Sequence, residues 1–335
     1  MTESYSLITP SKTPLAISPQ QPAVVAYGGN NARFAWNEFF AAQIRNPRTR
    51  AAYSLAIRRF FAWLEPLKIP LSDVDPATVG AYFAEHPGSV PTKKLHLAAL
   101  RALFDQMVVR HAMLLNPAAS VRGEKYQVVE GKTPEITVPQ VRALIAGIRT
   151  QKKSDGKIFP NVVGLRDRAI VGVLIYTAAR AGALAKLRLK DFIHDGALWT
   201  LRFAEKGGKA REIPVRHDDL ERYILEYLDA AGIRDDSGDS PLFRSAERRT
   251  GRLTTRPISN VDICRMVKRR LKDAKLPGHY SPHSFRVTTV TDLLSQGAPL
   301  EDVQYLAGHA DPRTTRLYDR RQKRVTRNIV ERISI

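Results

Sequence analysis

Apolar residues recur at three- and four-residue steps in two long stretches of the first third of the chain, the pattern of helices with one buried face. In residues 48–64 this stripe consists of Tyr53, Ile57, Phe60, Phe61 and Leu64. In residues 91–113 it consists of Leu97, Leu100, Phe104, Met107 and Val108. Stripes of this kind usually form a core and not a ligand site. The sequence therefore predicts a helical domain over residues 31–117.

Segments without apolar periodicity bound this domain. Residues 1–30 are rich in Pro, Ser and Thr and are expected to form a flexible tail. Residues 118–135 contain Gly123, Gly131 and Pro134 and are expected to be a linker. A second domain is then predicted over residues 136–321, followed by a carboxy-terminal tail at 322–335.

The pattern of the second domain changes between helical and strand periods. An apolar helix is predicted at 165–179, an amphipathic helix at 217–231 and, after a loop at 232–258, a helix at 260–275 that starts with a capping box of Ser259 and Asp262. Short strands are predicted at 191–195, 197–203 and 211–215. Three short helices follow in 281–320. The predicted fold class is mainly α with a small antiparallel β-sheet, in two domains.

The charge of the chain points to a polyanionic partner. Lys and Arg number 53 against 33 Asp and Glu, a formal charge of +20 over 335 residues. Nucleic acid is favoured over membrane because no basic amphipathic anchor accompanies the surplus; a soluble basic protein without such a partner is the alternative. The candidate DNA contacts, each of which could instead be ordinary solvated surface, are Arg48, Arg50, Lys93, Lys94, Arg101, Lys209, Arg256 and Lys268.

Cysteine usage and hydropathy restrict the compartment. The single cysteine, Cys264, cannot form an intrachain disulfide, so a cytoplasmic location is expected. The longest apolar run, residues 169–179, is shorter than the roughly 20 residues that span a bilayer.

The chemistry is concentrated in residues 281–318. Ser281 can cap a helix whose first turn places His283 and Arg286 on one face. His309 follows the Leu306-Ala307-Gly308 corner, and Tyr318 lies nine positions later. Arginine can hold phosphoryl oxygens, histidine can move protons, and a phenol can be a nucleophile. The alternative is a half-buried tyrosine beside histidines that belong to the core.

These residues resemble the carboxy-terminal signature of the tyrosine recombinases, the phage integrase family. The resemblance is carried by His283-Xaa-Xaa-Arg286, Leu306-Ala307-Gly308-His309 and Thr314-Thr315-Arg316-Leu317-Tyr318. It implies a two-domain recombinase architecture with a helical DNA-binding domain and a catalytic domain. It also requires an arginine after an apolar helix and a lysine in a β-hairpin turn.

Both upstream residues are present. Arg180 follows the apolar helix, although a structural ion-pairing arginine is the alternative for it. The family usually shows Thr-Gly-Leu-Arg-Ile-Ser-Glu-Leu here, and this chain keeps Thr177, Arg180 and Leu184 but has Ala183 in place of the acid. Lys206 matches the hairpin lysine, with Lys209 as its rival.

The resemblance implies a reaction without cofactor, ATP or metal. Tyr318 would attack DNA to form a 3′-phosphotyrosyl intermediate, Arg180 and Arg286 would hold the non-bridging oxygens, and Lys206 would protonate the leaving 5′ oxygen. His283 would handle the proton of Tyr318, and His309 would add a hydrogen bond. A metal site at His279 and His283 is not expected, because Ser281-Pro282 interrupts any helix between them.

The resemblance also implies partners. Four copies would assemble on double-stranded DNA carrying two recombination sites and pass through a Holliday junction, with residues 322–335 docking on a neighbouring subunit. The role would be integration or excision of a mobile element, or resolution of DNA, at the nucleoid of a bacterium. The alternatives are a type IB topoisomerase and a catalytically inactive DNA-binding regulator.

Overall fold

The computed structural model describes residues 18–126, 133–204, 210–248 and 250–318. Contacts divide the chain into two compact units that separate between residues 127 and 128. The first unit is helical and the second combines helices with short antiparallel sheets, so the predicted fold class is confirmed. The carboxy-terminal tail predicted at 322–335 lies outside the described residues.

The first unit consists of five α-helices within its described part. They are α1 (Ala23–Tyr27), α2 (Gly29–Glu38), α3 (Pro47–Leu64), α4 (Pro76–Glu85) and α5 (Val90–Val109). The starts of α3 and α4 follow from their sequence: the side chains of Asn46 and Asp75 accept hydrogen bonds from backbone N–H groups of the first turn, and proline occupies the first helical position of each. The two predicted apolar stripes lie on α3 and α5 and form the core of the unit.

The helical unit begins earlier than the sequence predicts. The expected flexible tail extends to residue 30, but α1 and the start of α2 lie within it, and Val25 is fully buried. The indole N–H of Trp36 also donates to the Pro19 carbonyl at 3.0 Å. A five-residue helix is too short to show a helical period, so its burial is determined by the rest of the unit.

A buried polar cluster joins α4 to α5. Nε2 of His86 lies 2.9 Å from Nδ1 of His96, and the Gly88 backbone N–H donates to Nδ1 of His86 at 2.9 Å. His86 therefore carries its proton on Nε2 and donates it to His96. Burial, followed by the charges of His86 and Arg59, lowers the pKa of His96 to about 4.

This cluster makes the stability of the first unit sensitive to acid. The pKa of His96 is lower in the folded state than in the unfolded state, so between these two pKa values the unfolded chain binds more protons than the folded chain. The stabilisation by the neutral His96 is therefore complete above about pH 6.5 and is lost as the pH falls towards 4. Between pH 7.5 and 4.5 the loss is expected to be about 2–3 kcal/mol. Urea unfolding across this range measures it. The variant His96→Gln should lack this component, and an identical pH dependence in both proteins would contradict the prediction.

The second unit contains eight α-helices and seven strands within its described part. Its helices are α6 (Val138–Ala146), α7 (Val162–Tyr176), α8 (Ala181–Leu184), α9 (Asp218–Ala231), α10 (Asn260–Asp273), α11 (Pro282–Ser295), α12 (Leu300–Ala307) and α13 (Pro312–Arg316). Its strands are β1 (Gln151–Ser154), β2 (Lys157–Pro160), β3 (Phe192–His194), β4 (Trp199–Ala204), β5 (Ala210–Val215), β6 (Arg244–Ala246) and β7 (Leu253–Pro257).

The predicted three-stranded sheet is present, with antiparallel order β3–β4–β5. Leu201 pairs with Ile213 and Phe203 with Arg211, and these side chains face the core. Two further ribbons, β1–β2 and β6–β7, are not predicted; the second lies in the segment expected to be a loop at 232–258. All residues of β1–β2 are exposed, so no apolar alternation marks that ribbon.

Helix α7 crosses the core of the second unit and ends beside the candidate chemistry. A Cβ on Gly172 would lie 3.2 Å from side-chain atoms of Leu220 and Tyr223, so glycine permits α9 to pack closely against α7. Among the described residues, no helix has both the length and the apolar character needed to cross a membrane.

Candidate active site

The first turn of α11 positions His283 and Arg286. Ser281 and Ser284 form a capping box and Pro282 occupies the first helical position, as the sequence predicts for the start of this helix. Arg286 is only 1% exposed, and its Nη1 donates to the Ala178 carbonyl at 2.8 Å. The side chain that would hold a phosphate is thus anchored to the segment that follows α7.

That segment carries Arg180. Thr177 caps the end of α7, Ala178 adopts a left-handed conformation with φ of 49°, and Arg180 precedes α8. Nη1 of Arg180 donates to the Gly308 carbonyl at 3.1 Å. A backbone carbonyl therefore supports Arg180 in a chain that has Ala183 at the position of the usual acid.

The conformation of Ala178 predicts a measurable strain. A non-glycine residue in the left-handed region costs about 1–2 kcal/mol, whereas Ala179 has no such conformation and is also buried. Both Ala178→Gly and Ala179→Gly remove a buried methyl group and loosen the unfolded chain. Ala178→Gly should therefore be more stable than Ala179→Gly by about 1–2 kcal/mol in urea unfolding. Equal stabilities would show that the turn is unstrained.

His309 is held at the end of α12. Gly308 ends the helix in the left-handed conformation with φ of 59°, and the His309 N–H donates to the Gln304 carbonyl at 3.1 Å. Nδ1 of His309 lies 2.9 Å from the Thr315 hydroxyl. Burial first, and then the charges of Arg286 and Arg180, lower the pKa of His309 to about 3. The imidazole is therefore neutral at physiological pH.

Tyr318 completes the site immediately after α13. The side chain of Asp311 caps this helix, and the Tyr318 ring lies parallel to the ring of His309, at 9° with 6.0 Å between centroids. The Tyr318 hydroxyl is 3.4 Å from Nε2 of His283. Partial burial, followed by the charges of Arg286 and Arg180, lowers the pKa of His283. A neutral His283 can accept the proton of the phenol.

The structure brings together five of the six predicted catalytic residues. The charges of Arg180 and Arg286 both act on His283 and His309, and Tyr318 contacts both histidines. Lys206 and its rival Lys209 lie outside the described residues. The described part of the chain contains no group of three His, Cys, Asp or Glu side chains that could hold a metal ion.

Sequence reasoning missed Arg211 on β5. This arginine is 4% exposed, donates to the carbonyls of Leu306 and Thr177, and lies over the Phe203 ring with 5.0 Å to the centroid. It therefore joins the sheet to the segments that carry Arg180 and His309. A signal existed in the sequence, because Arg211 occupies the core-facing phase of a strand shared with Ile213 and Val215.

Three of the predicted DNA contacts are half-buried and have partners within the protein. The Arg50 guanidinium donates to the Ile44 carbonyl at 2.7 Å, and Lys93 pairs with Glu124 at 2.8 Å. Arg101 donates to the carbonyls of Ala118 and Val121, at 3.0 and 2.5 Å. These bonds stabilise the first unit, and DNA contact by these residues stays a prediction.

The other candidate contacts at described positions are exposed. These side chains are Arg48, Lys94, Arg256 and Lys268. The Lys268 ammonium also donates to the Gly278 carbonyl, so its position beside the end of α10 is fixed.

Comparison with known proteins identifies the fold and the family. Tyrosine recombinase XerC of Pelobacter propionicus is 29% identical over 279 residues, which cover 82% of this chain and 84% of the relative. The XerH site-specific recombinase bound to palindromic difH substrate matches with a TM-score of 0.66 at 18% identity, covering 91% of this chain and 88% of that one. A lambda integrase tetramer bound to a Holliday junction matches with a TM-score of 0.62 at 17% identity, covering 92% and 83%.

At such identities the structural matches show the fold alone, whereas the family is shown by the sequence. The profile of the phage integrase family matches residues 136–324, more than half of the chain, and this segment includes the described site. The resemblance in the sequence is therefore confirmed, and the chain belongs to the phage integrase family.

Proposed function

We propose that this chain is a site-specific tyrosine recombinase that breaks and rejoins double-stranded DNA through Tyr318. One observation carries the proposal: the Tyr318 hydroxyl lies 3.4 Å from Nε2 of His283, in a site where Arg180 and Arg286 act electrostatically on that histidine. A nucleophile, a proton acceptor and two phosphate-binding cations are the groups that a metal-independent attack on a phosphodiester needs.

Cleavage and rejoining of the DNA strand need only the predicted catalytic side chains and the DNA itself. The phenolic oxygen of Tyr318 forms a bond to phosphorus while the bond from phosphorus to the 5′ oxygen breaks, leaving a 3′-phosphotyrosyl ester and a free 5′ hydroxyl. The phenol proton passes to His283, and Lys206 supplies a proton to the leaving oxygen. Attack by a 5′ hydroxyl on the ester reverses these steps and rejoins DNA, so no ATP is consumed.

The positive charges of buried Arg286 and exposed Arg180 stabilise the transition state. As the five-coordinate phosphorane develops, negative charge accumulates on its non-bridging oxygens, and preorganised guanidinium groups of Arg180 and Arg286 stabilise it without solvent reorganisation. His309 is neutral because its pKa is about 3. In the tautomer in which the Thr315 hydroxyl donates to Nδ1, Nε2–H of His309 is a further donor for a phosphate oxygen.

The likeness to a lambda integrase tetramer on a Holliday junction supports an assembly proposal. Four copies would act on two recombination sites, with residues 322–335 docking on a neighbouring subunit and the first unit gripping DNA. Such a protein would act in the cytoplasm at the nucleoid of a bacterium. The same chemistry serves integration or excision of a mobile element and resolution of DNA.

The test uses the full-length chain and duplexes from the DNA that flanks its gene. Each duplex carries a nick beside a candidate cleavage position, so that the released fragment diffuses away and the intermediate accumulates. Wild-type protein should migrate with labelled DNA on denaturing gels, and peptide mapping should place the nucleotide on Tyr318. Absence of covalent product with every bound duplex would favour an inactive DNA-binding regulator. Relaxation of supercoiled plasmid without dependence on paired sites would favour a type IB topoisomerase.

A further inference from the structure

A second basic site lies at the opposite end of α7 from Arg180. A cavity of about 430 Å³ opens between the start of α7, the β6–β7 ribbon and α10. The arginine pocket, as we name it, is defined by Arg166, Arg248, Arg265, Arg269 and Arg270. Among the described residues that line it, Asp262 is the single acid. The lining thus has a large excess of positive charge.

A buried carboxylate holds three of these arginines in place. Asp167 is fully buried and accepts hydrogen bonds from Arg166 at 2.6 Å, from Arg270 at 2.7 Å and from Arg269 at 3.1 Å. One negative charge therefore fixes three positive charges. Because the guanidinium groups are already ordered, a bound anion would not have to immobilise them.

The pocket combines fixed and accessible donors. Arg166 and Arg270 form its floor, with side chains 3% and 15% exposed, whereas Arg269 and Arg265 are 55% and 77% exposed at its rim. Arg248 adds a guanidinium from the ribbon and has a left-handed backbone with φ of 43°. Planar guanidinium groups match the oxygens of a phosphate in geometry and charge. The chemistry of the lining selects a phosphate group over an apolar ligand.

The arginine pocket is separate from the site of Tyr318. Asn161, which caps α7, lines the pocket, and Arg180 follows the other end of this helix. Fifteen helical residues at about 1.5 Å each place the two ends about 22 Å apart. A single phosphate group therefore cannot contact both sites.

We propose that the arginine pocket is a second phosphate-binding site, which takes a backbone phosphate of the DNA duplex away from the cleaved bond. Its phosphate chemistry rests on the pocket alone, and the identification of DNA as the source rests on the proposed function. A free phosphate is the other source with the same chemistry. The two sources are separated by experiment.

The first arm measures DNA binding by the double variant Arg265→Gln/Arg269→Gln. Both side chains reach solvent, and Asp167 keeps its ion pairs with Arg166 and Arg270 in this variant, so the fold should survive the change. The matched control is Arg222→Gln/Arg234→Gln, which removes the same charge from side chains 52% and 47% exposed elsewhere in this unit. The Kd for a long duplex should rise about tenfold in the pocket variant beyond any rise in the control, and the slope of log K against log salt should fall by about 1.

The second arm shortens the duplex. If DNA supplies the phosphate, a duplex too short to reach the pocket should bind wild type and pocket variant equally. Calorimetry with inorganic phosphate tests the other source: binding by wild type that the pocket variant lacks, without an effect of duplex length, would assign the pocket to free phosphate. Equal behaviour of the pocket variant and control in both arms would overturn the proposal.

Failure of this proposal can be distinguished from failure of the proposed function. Covalent capture of DNA by the wild-type protein tests Tyr318, whereas the difference between the pocket variant and its control tests the pocket. Covalent capture without a difference in DNA binding would support the recombinase proposal and contradict the pocket proposal. A difference in DNA binding without covalent capture would support the pocket proposal and contradict the recombinase proposal.

Discussion

Tyr318→Phe is expected to reduce covalent capture of DNA by at least ~10⁴-fold, below detection on a denaturing gel. The phenyl ring can keep its parallel packing beside His309, but it has no oxygen to attack phosphorus. DNA binding should change by less than about threefold, because the lost hydroxyl makes one long contact, 3.4 Å to His283. Binding is measured by titration of labelled duplex, and capture is measured with the nicked substrates described above.

A second tyrosine provides the matched control. Tyr305 lies on α12 in the same unit and is 60% exposed. Tyr305→Phe removes the same atom and should capture DNA at the wild-type rate. Covalent product with Tyr318→Phe would mean that another residue is the nucleophile, and the contact between Tyr318 and His283 would then have no catalytic meaning.

The sequence predicts that the residues of the candidate site lie together, because these residues are close along the chain. His283, Arg286, His309 and Tyr318 lie within 36 residues, on short helices whose starts are marked by capping residues and proline. These local capping signals therefore determine most of the relative positions of these side chains. The same holds for the sheet, since the alternation in β4 and β5 identifies the buried faces.

Features that depend on tertiary contacts could not be read in this way. Burial of Val25 and the left-handed turn at Ala178 are imposed by neighbouring elements, and nothing in the residues themselves favours a positive φ at alanine. Charge poses the same difficulty. Arg48 and Arg101 both lie off the apolar stripes, yet Arg48 is exposed and Arg101 is bonded to backbone carbonyls. A net positive charge predicts a polyanionic partner, but it does not identify the Lys and Arg side chains that contact this partner.

The hydrogen bond of Arg180 shows how a backbone carbonyl can take the place of an absent acidic side chain. Without an acid at position 183, the chain uses the Gly308 carbonyl, which Arg180 reaches across the fold. Arg211 bonds the Leu306 carbonyl two residues before that contact. The backbone around the α12 corner thus takes hydrogen bonds from two arginines, and it keeps Arg180 close to His309. A comparison of sequence motifs detects the missing acidic side chain at position 183 but not the Gly308 carbonyl that accepts a hydrogen bond from Arg180.

Arg286→Lys should slow the cleavage step by about 10³-fold, the second largest effect expected in this protein. A planar guanidinium has five donors and can serve the Ala178 carbonyl and a phosphate together, whereas an ammonium is a point charge on a different stem. Single-turnover cleavage measures the loss. Arg202→Lys is the control, since Arg202 is a 47% exposed arginine on β4 of the same unit, and it should cleave like wild type.

A substrate change separates lost catalysis from a disturbed fold. Replacing one non-bridging oxygen of the scissile phosphate by an uncharged methyl group removes the negative charge that a guanidinium would stabilise. If Arg286 acts on that charge, the gap between Arg286→Lys and wild type should narrow at least about tenfold with this substrate. A variant that is merely misfolded would be slow on both substrates. An unchanged gap, or cleavage by Arg286→Lys within about tenfold of wild type on ordinary DNA, would remove Arg286 from the phosphate site.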